Sequence, residues 1–487
     1  MPVTHLESLD KIVSLAKSRG FIYPSSEIYG GLNAVYDYGP LGAELKRNIR
    51  ETWWQDMTRR HDNIVGVDSA IFMHPEVWKA SGHVDGFNDP MIDDKQSKKR
   101  YRADMVIEQH IAKLHSKGKS DRAEQIQERL DTAGTRDGLC EDLHAIIMEE
   151  EIKAPDSGAF DWTDVRQFNL MFKTQFGAVS SSDETGGVYL RPETAQGIFV
   201  NYKNVMDTAR QQIPFGIAQV GKAFRNEVVA RQFVFRMREF EQMEMQYFIT
   251  PGTDAEEYDK WLERRKQWHR SIGIRDRFLR AESHPEDKLA HYAKAAADIQ
   301  YKFPIGWQEV EGVHNRTDFD LSRHQEYSGK KLEYFDPNSR ERYIPYVIET
   351  SIGLDRCTLM VLCDAYREEE VEGDSRTVLK MHPKLAPVKV GLLPLIKKPE
   401  LQEIAHKLEA ELREEHHVLY DESGSIGKRY RRLDEAGTPF GVTVDFDGLE
   451  DDTVTIRYRD DMSQERVSLS NVADRIRDAI RSWKPTD

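Results

Sequence analysis

Apolar residues recur four positions apart near the start of the chain, at Leu41, Leu45, Ile49, Trp53 and Met57. This spacing predicts a helix with one buried face. A turn-rich segment, 36–42, precedes the helix, and a β-branched run over 64–72 predicts a strand that stops before Pro75.

Two later segments are rich in charged residues and alternate with β-rich ones. Lys, Glu and Gln are frequent between residues 106 and 151, and 85–165 is predicted to be a mostly helical insertion. Residues 251–300 are charged again and predict a second helical insertion. The β-rich segments 166–250 and 301–350 are predicted to supply strands.

The periodicity switches after a Pro-containing stretch at 382–387, which predicts a linker. Strands are predicted at 388–393, 440–445 and 453–458, and helices at 401–416, 427–436 and 471–483. This alternation predicts a C-terminal α/β domain with a partly parallel, mixed sheet over 385–487.

The segment 214–244 has the pattern of a β-hairpin whose loop lies at 228–234. Because side chains two apart share a strand face, five functional groups are predicted on one face of this hairpin: Arg225, Glu227, Arg236, Phe240 and Glu244. Two cations, an aromatic ring and two carboxylates suit a nucleoside triphosphate with an ammonium-bearing partner beside it. Taken alone, the segment also fits a charged hairpin that faces solvent.

A second element runs from a strand through Gly353 into a helix. Glu349 and Ser351 share one face of this strand, and Arg356 lies in the first helical turn. A guanidinium group is planar and always charged, so Arg356 suits stacking on an aromatic ring.

Composition limits the class of protein. The 487 residues suffice for two to four domains, and 31% charged with 39% hydrophobic residues is typical of a soluble globular enzyme. The net charge of −15 argues against general electrostatic coating of nucleic acid, but not against local basic patches. Nucleotide motifs built on glycine-rich loops are absent from the sequence, so a nucleotide would be held by side chains on a sheet.

Targeting and cysteine patterns point to the cytoplasm. The N-terminus has no basic start and no apolar run, and the longest apolar run, 359–363, is too short to span a membrane. Three scattered cysteines support neither a disulfide framework nor a zinc site. We therefore predict a cytoplasmic protein with no zinc and no membrane contact.

The hairpin, the strand–glycine–helix element and the first helix with its strand resemble motifs 2, 3 and 1 of the class II aminoacyl-tRNA synthetases. The resemblance implies an α+β catalytic domain over 1–384, with an antiparallel sheet flanked by helices and helical insertions. Motif 1 would lie at about 41–75, motif 2 at about 214–247 and motif 3 at about 344–366. The C-terminal domain would bind the tRNA anticodon.

Segments 20–31, 36–42, 191–203 and 316–321 resemble the homodimeric glycyl-tRNA synthetases. That family implies ATP, glycine and tRNA(Gly) as substrates, Mg²⁺ as cofactor, and a homodimer joined through motif 1. A filled pocket that rejects larger amino acids by clash is consistent with glycine. The chain departs from the family's usual pattern at Gln308 and Thr350, and neither change removes a charged group.

The resemblance assigns roles residue by residue. The implied catalytic residues are Arg225, Glu227, Arg236 and Arg356. The implied ATP-binding residues are Arg225, Asn226, Glu227, Phe235, Arg236, Phe240, Glu309, Val310, Gly353, Leu354, Asp355 and Arg356, with Glu309 also a candidate Mg²⁺ ligand. The implied glycine-binding residues are Arg102, Glu193, Phe240, Glu241, Gln242, Glu244, Glu349, Ser351 and Gly353.

By this carry-over, Glu193, Glu244, Glu349 and Ser351 converge on one small cation. Neighbouring carboxylates repel each other unless a cation lies between them, so the group is either a metal or an ammonium site. No histidine is expected beside them, and the resemblance favours ammonium. In the implied reaction the glycine carboxylate attacks the α-phosphorus of ATP, and tRNA then attacks the glycyl-adenylate.

The C-terminal domain offers candidates for tRNA contacts. Arg429, Arg431 and Arg432 could reach phosphates, unless they pair with Asp434 or Glu435, and Tyr430 and Phe440 could stack on unpaired bases. Two other functions stay open at this point. One is a non-catalytic nucleic-acid-binding accessory protein with a synthetase fold, and the other is a class II synthetase for a different amino acid.

Overall fold

The computed structural model describes residues 6, 8–133, 138–175, 187–228, 232–285, 289–290, 292–371 and 373–485. Its helices are α1 (Leu9–Arg19), α2 (Pro40–Thr58), α3 (Pro75–Ala80), α4 (His83–Gly86), α5 (Ala103–Ser116), α6 (Ser120–Ala133), α7 (Leu139–Glu149), α8 (Ala195–Thr208), α9 (Asp254–Ser271), α10 (Phe319–Ser328), α11 (Leu354–Ala365), α12 (Pro399–Arg413), α13 (Ile426–Ala436), α14 (Gly448–Asp451) and α15 (Val472–Ser482).

The strands before the C-terminal domain are β1 (Ile22–Pro24), β2 (Tyr36–Tyr38), β3 (Ile64–Gly66), β4 (Asn88–Asp93), β5 (Arg100–Arg102), β6 (Arg166–Asn169), β7 (Lys173–Gln175), β8 (Gly187–Tyr189), β9 (Phe215–Phe224), β10 (Glu239–Ile249), β11 (Leu279–Ser283), β12 (Ala295–Phe303), β13 (Gly306–Thr317), β14 (Tyr334–Phe335), β15 (Arg342–Tyr343), β16 (Tyr346–Gly353), β17 (Tyr366–Val371) and β18 (Asp374–Leu379). Those that follow are β19 (Val390–Pro394), β20 (Val418–Tyr420), β21 (Phe440–Val444), β22 (Thr453–Tyr458) and β23 (Gln464–Ser468).

Seven strands of the described part form one sheet in the order β11-β12-β13-β16-β10-β9-β3. All neighbours are antiparallel except β3 and β9. Alternation along β10 separates two faces, because Met243, Met245 and Tyr247 enter the main hydrophobic core while Glu244 and Gln246 point to the other side. The predicted antiparallel sheet flanked by helices is therefore confirmed.

The main core lies between this sheet and three helices, α2, α9 and α11. The helical spacing predicted for α2 is confirmed, since Leu45, Ile49, Trp53 and Met57 are all buried. The strand predicted at 64–72 is shorter than expected and ends at Gly66.

Charged side chains are enclosed in the same core, behind the sheet. Glu311 of β13 accepts a hydrogen bond from Arg265 Nε of α9 at 2.5 Å and lies 2.8 Å from His269 Nε2. All three residues are completely buried, and Asp56 of α2 lies 3.4 Å from the same arginine. The group ties α9 and α2 to the rear face of the sheet.

The prediction of a helical insertion at 251–300 is wrong for its second half. Helix α9 occupies the first half, but β11 and β12 follow and form the edge of the central sheet. Alternate residues of β12 are buried, namely Ala297, Ile299, Tyr301 and Phe303. This period of two is hard to recognise in the sequence, because the residues between them are charged or polar and the strand begins with three alanines.

The insertion predicted at 85–165 has helices α5, α6 and α7, as expected, around a separate hydrophobic core. A three-stranded sheet in the order β5-β4-β6, all within described residues, closes this core on one side. These strands were not predicted because they are short and carry many polar residues.

The stretch 373–485, described throughout, contains a five-stranded sheet in the order β20-β19-β21-β22-β23. Strand β19 pairs in parallel with β20 and β21, and the remaining pairs are antiparallel, so the predicted mixed sheet is confirmed. Strands β20 and β23 were missed, since one has three residues and the other is largely polar.

The predicted linker at 382–387 is mostly buried rather than solvated, with Lys384 as its exposed residue. Arg376 of β18 donates to Asp434 of α13 at 2.8 Å, and Arg459 donates to the carbonyl of Met381 at 2.7 Å. At the end of α15 the ring of Trp483 lies 4.6 Å from that of His382. These contacts fix the C-terminal domain against the rest of the protein.

The cysteines are free thiols, and Cys357 and Cys363 are buried in α11. No helix in the described ranges is both long enough and apolar enough to cross a membrane.

Candidate active site

A cleft of about 220 Å³ lies on the front face of the central sheet, at the end of the β9–β10 hairpin. Strands β10, β13 and β16, the hairpin connection and the start of α11 form its walls. Its lining residues are Glu193, Arg225, Glu227, Val234, Phe235, Arg236, Met237, Phe240, Gln242, Glu244, Tyr292, Glu309, Val310, Gly312, His314, Arg316, Glu349, Ser351, Gly353, Asp355 and Arg356. Most residues predicted for the site are thus brought to one place.

The hairpin strands are shorter than predicted. Strand β9 ends at Phe224 and β10 begins at Glu239, so Arg225, Glu227 and Arg236 lie in the connection. The connection is nevertheless ordered around Arg225, whose backbone N–H donates to the carbonyl of Arg238 at 2.9 Å. Tertiary contacts, rather than strand alternation, therefore place these side chains in the cleft.

Two arginines of the connection are held differently. The Arg225 guanidinium lies between the rings of Phe87 and Phe240, 5.3 Å from each centroid, and its Nε donates to the carbonyl of Pro192. Arg236 is half-exposed, and its nearest ion-pair contact is Glu227 at 3.9 Å. Arg225 is preorganised, whereas Arg236 keeps most of its donors available for a ligand.

Arg356 opens α11 at the opposite wall. Its guanidinium stacks over Phe235 with 4.4 Å to the ring centroid, and it donates to the Phe235 carbonyl at 3.1 Å. It also donates to the carboxylate and the carbonyl of Glu309, both at 3.1 Å. Three arginines and two aromatic rings, Phe235 and Phe240, thus gather at this end of the cleft, which suits a nucleoside polyphosphate.

The other end of the cleft holds three carboxyl groups with different partners. Glu193 lies 3.3 Å from His83 Nε2 and accepts from Gln196 at 2.9 Å. Glu349 has three partners: His314 Nδ1 at 2.7 Å, Gln246 Nε2 at 2.6 Å and Arg316 Nη1 at 3.3 Å. Glu244 accepts a hydrogen bond from the Thr194 hydroxyl.

These surroundings set the charges. Burial opposes ionisation of Glu349, but Arg316 and the His314 hydrogen bond outweigh it and lower the pKa to about 2. Burial is likewise outweighed at Glu193, where His83 and Arg316 hold the pKa well below its usual range. For Glu244, burial and the negative charges of Glu349 and Glu193 raise the pKa to about 8.

An ammonium group fits this end of the cleft, since it brings one compact charge and three donors. The Oε1 atom of Gln242 is buried without a hydrogen-bond partner and is available as a further acceptor. Within the described residues, no group of three or more His, Cys, Asp and Glu side chains has the geometry to hold a metal ion.

Several predicted site residues lie elsewhere. Glu241 points to the opposite face of β10 from Phe240 and Gln242, where it pairs with Lys46 at 2.6 Å. Leu354 is completely buried in the core, and Asn226 is not part of the lining. The prediction for Glu241 is therefore wrong, because side chains alternate between the two faces of β10.

Arg102 lies in an adjoining cavity of about 380 Å³, which shares Phe235 and Arg236 with the cleft. It is paired with Asp104 at 2.6 Å and Asp89 at 3.2 Å, so the structure does not bring it to the three carboxyl groups.

Asp355 borders the cleft, but its carboxylate is used within the fold. It accepts from Tyr38 at 2.6 Å, from Lys46 at 2.9 Å and from the Glu241 backbone N–H at 2.7 Å. Its role is to hold the start of α11 against β2, α2 and β10.

The sequence reasoning missed four residues around the carboxyl groups: His83, Tyr292, His314 and Arg316. The expectation that no histidine joins the carboxyl groups is wrong, because His83 and His314 both contact them. Extending the period-two rule along β13 from Val310 would have found two of the four, since Gly312, His314 and Arg316 follow on the same face.

Two of the C-terminal candidates are unavailable to RNA. Arg429 is 2% exposed and donates to the carbonyls of Pro394, Asp421 and Leu395. Phe440 is 3% exposed in the core of the domain. One side of an amphipathic helix faces the core, and in α13 that side includes Arg429. The five residues 428–432 are too few to show from the sequence which arginine lies on that side.

The other three candidates lie nearer the surface. Arg432 pairs with Asp421, and the Tyr430 hydroxyl is 2.6 Å from Thr443. Arg431 is half-exposed and forms no ion pair with any described residue.

Comparisons with known families cover most of the chain. The model described as "tRNA synthetase class II core domain (G, H, P, S and T)" matches residues 172–366, and "Anticodon binding domain" matches 389–479. "Glycyl-tRNA synthetase insertion domain 1" matches residues 89–125 and 118–170.

Individual relatives match over nearly their whole length. The "Glycine--tRNA ligase" of Chlorobaculum tepidum is 58% identical over 467 residues, which are 96% of this chain and 98% of that protein. Those of Treponema denticola and Bacillus cereus are each 51% identical, over 99% and 96% of this chain and 99% and 97% of theirs.

Among solved structures, the chain is similar to "Prolyl-tRNA Synthetase from Cryptosporidium parvum complexed with L-Proline and AMP". The TM-score is 0.61 at 13% identity, covering 96% of this chain and 74% of that chain, and this likeness supports the fold alone. The fold, the insertion domain and the identities of 51–58% agree. The chain belongs to the glycine–tRNA ligase family of class II aminoacyl-tRNA synthetases.

Proposed function

We propose that this chain activates glycine with ATP to glycyl-adenylate and transfers the glycyl group to the 3′ end of tRNA(Gly). One observation carries the proposal: a single cleft has three arginines at one end and three carboxyl groups at the other. The first end suits the phosphates of ATP, and the second suits the ammonium group of an amino acid.

In the first step an oxygen of the glycine carboxylate attacks the α-phosphorus of ATP, and pyrophosphate leaves. Glu193, Glu244 and Glu349 hold the ammonium group, so the carboxylate is directed toward the arginines. Arg225 is fixed between two aromatic rings and stabilises the negative charge that builds on the α-phosphate. Positioning and electrostatic stabilisation suffice for this step, as in other phosphoryl-centre reactions.

The remaining nucleotide contacts are divided between two walls. Arg236 is assigned to the terminal phosphates because its guanidinium is half-exposed and loosely paired with Glu227. Phe240 and Arg356 are assigned to the adenine ring, one on each side. Arg356 is already oriented by its contacts with Phe235 and Glu309.

Glu309 is the proposed protein ligand of Mg²⁺. Its side chain is about half-exposed at the phosphate end of the cleft, and Arg356 Nη1 contacts one of its carboxylate oxygens, Oε2. A protein carboxylate together with substrate phosphate oxygens is the usual way in which Mg²⁺ is bound. When bound, the ion would neutralise charge on the phosphates.

In the second step the terminal ribose hydroxyl of tRNA attacks the glycyl carbonyl, and AMP leaves. No side chain of the cleft is assigned as general base, and the adenylate phosphate is available for that role. We assign residues 1–384 to catalysis and 385–487 to the anticodon, where Arg431 and Arg432 are better placed than Arg429.

The homodimer and the cytoplasmic location are also part of the proposal. Resemblance to the homodimeric synthetases supports an interface through α2, which sedimentation velocity would test. Three free thiols, two of them buried, are consistent with a reducing compartment.

The test is ATP–pyrophosphate exchange with each of the twenty amino acids. Exchange with glycine alone is expected, together with a loss of at least about 100-fold for Arg225→Ala, because oriented donors to a developing charge are worth this much. Arg413→Ala is the matched control, since Arg413 is an exposed residue of α12, outside both the cleft and the proposed interface. Exchange with another amino acid would overturn the glycine assignment, and no exchange with any would favour a non-catalytic accessory protein.

A further inference from the structure

Glu244 stands out among the three carboxyl groups of the cleft by its lack of cationic partners. It is 2% exposed and lies in the middle of the sheet, between Gln219 of β9 and Ser351 of β16. Among the described residues, the one hydrogen bond to its carboxyl group comes from the neutral Thr194 hydroxyl. A buried carboxylate with so little compensation is costly.

The charges around Glu244 do not balance when all the carboxyl groups are ionised. In the described part of the chain, Arg316 is the permanent cation that contacts this cluster of carboxyl groups, and it already forms two hydrogen bonds to Asp320, at 2.7 and 2.9 Å. The same guanidinium lies 3.3 Å from Glu349. Two histidines are associated with Glu349 and Glu193, so neither reaches Glu244 directly.

We propose that Glu244 is a neutral carboxylic acid in the empty cleft and that the ammonium group of glycine takes the place of its proton. The exchange is balanced in atoms and charge. The Glu244 O–H bond breaks, its proton goes to the buffer, and the carboxylate then accepts an N–H from the glycine zwitterion. The inference rests on the proposed function, because it assigns the ammonium group to these three carboxyl groups.

The ionisable side chains around Glu244 are engaged with partners other than Glu244, including the two histidines, which contact Glu193 and Glu349. The titratable and charged groups that face it are Glu193 from the segment before α8, Glu349 from β16 and Arg316 from β13, with His83, His314, Asp320 and Tyr292 behind them and Arg191 nearby. Of these, Glu193 and Glu349 already have cationic or amide donors on their oxygens. The proton therefore belongs on Glu244.

Two quantities follow. With a pKa of about 8 for Glu244, most empty sites carry the proton at pH 7, so glycine binding should release close to one proton. Because the proton competes with the ammonium group, the KM for glycine should fall about tenfold per unit as the pH rises toward 8, and then level off. At pH values where glycine itself loses its amino proton, binding should weaken again.

Calorimetric titration of glycine into the full-length protein at pH 7, in phosphate and in Tris, measures the released protons from the dependence of heat on the ionisation enthalpy of the buffer. Wild type is expected to release close to one proton and Glu244→Gln none, because an amide has no proton to exchange. Glu239→Gln is the matched control. It carries the same substitution on the same strand, at a half-exposed carboxylate paired with Lys222 outside the cleft.

Three results would overturn the inference: heats that do not depend on the buffer, proton release that persists in Glu244→Gln, or a glycine KM that is flat between pH 6 and 8. The pH profile is measured on wild type by pyrophosphate exchange, so it does not depend on folding of the variant. If glycine supports ATP–pyrophosphate exchange but its binding releases no proton, only the role of Glu244 is refuted. Absence of exchange with glycine would refute the proposed function itself.

Discussion

Replacing Glu311 by glutamine perturbs the charged group behind the central sheet and leaves the lining of the cleft unchanged. The substitution keeps the shape of the side chain and removes its charge. Arg265 then remains in the core with Asp56, at 3.4 Å, as its nearest carboxylate. The amide also offers its oxygen to only one of the two donors that the carboxylate serves, Arg265 and His269.

The expected loss follows from the complete burial of these residues. Removing one partner of a buried ion pair leaves an uncompensated charge and costs about 3–5 kcal/mol. The shift in melting temperature is the free-energy loss divided by the unfolding entropy, which is about 2.1 cal/mol/K per residue, so a unit the size of residues 1–384 should melt roughly 4–6 °C lower. Neighbouring residues adjust only partly, because the site is enclosed by α2, α9 and the sheet.

The loss of stability in Glu311→Gln should depend on pH. Burial opposes ionisation of Glu311, but Arg265 and His269 lower its pKa below the ordinary value. A carboxyl group with a depressed folded-state pKa stabilises the protein above its unfolded pKa, and the stabilisation is lost as the pH falls through the folded pKa. The difference between wild type and variant should therefore be complete at pH 7 and shrink below about pH 4.

Thermal unfolding by circular dichroism, at several pH values, measures this difference. Glu263→Gln on the exposed side of α9 is the control, and a surface substitution of this kind should change stability by less than about 0.5 kcal/mol. If Glu311→Gln melts within about 1 °C of wild type at pH 7, roughly the effect of 1 kcal/mol, then the reasoning about an uncompensated buried charge is refuted.

Three further substitutions separate recognition from folding. Arg356→Lys keeps the charge but loses the planar guanidinium, which can stack on a ring and donate several hydrogen bonds at once. The KM for ATP in pyrophosphate exchange should therefore rise about tenfold or more. Arg429→Ala removes a donor from three carbonyls, of which that of Pro394 is buried and those of Leu395 and Asp421 are partly buried, and should lower the melting temperature by several degrees. Arg431→Ala should leave the melting temperature unchanged and lower the affinity for tRNA in a filter-binding assay. Trp483→Ala removes a ring from the domain junction, and calorimetry should then resolve a separate, earlier transition of the C-terminal domain.

The cleft could be predicted largely from short, strongly patterned segments. Alternation on β10 and β16 is local in the sequence and correctly grouped Phe240, Glu244, Glu349 and Ser351 on the front of the sheet. The same rule, applied consistently, would have removed Glu241. What the pattern could not supply were residues such as His83, which reach the cleft from distant elements and depend on tertiary packing.

The same limit explains the errors in the fold. Helix α2 can be predicted because its buried face repeats over five turns, whereas β12 is shorter, begins with three alanines and has charged or polar residues between its buried ones. In the C-terminal domain, three neighbouring arginines of one helix are chemically alike, and burial alone distinguishes Arg429 from Arg431. Burial depends on how the helix is turned against its sheet, which a run of five residues does not reveal.

The buried linker at 382–387 has a consequence for how a long RNA would be selected. This linker joins the two domains, together with the contacts of Arg376, Arg459 and Trp483. The distance from the cleft to the C-terminal sheet is therefore set before any RNA binds. Little binding energy is then spent on arranging the domains. An RNA whose two ends do not match that distance cannot contact the cleft and the C-terminal sheet at the same time. The protein therefore selects RNA by overall length and shape as well as by base sequence.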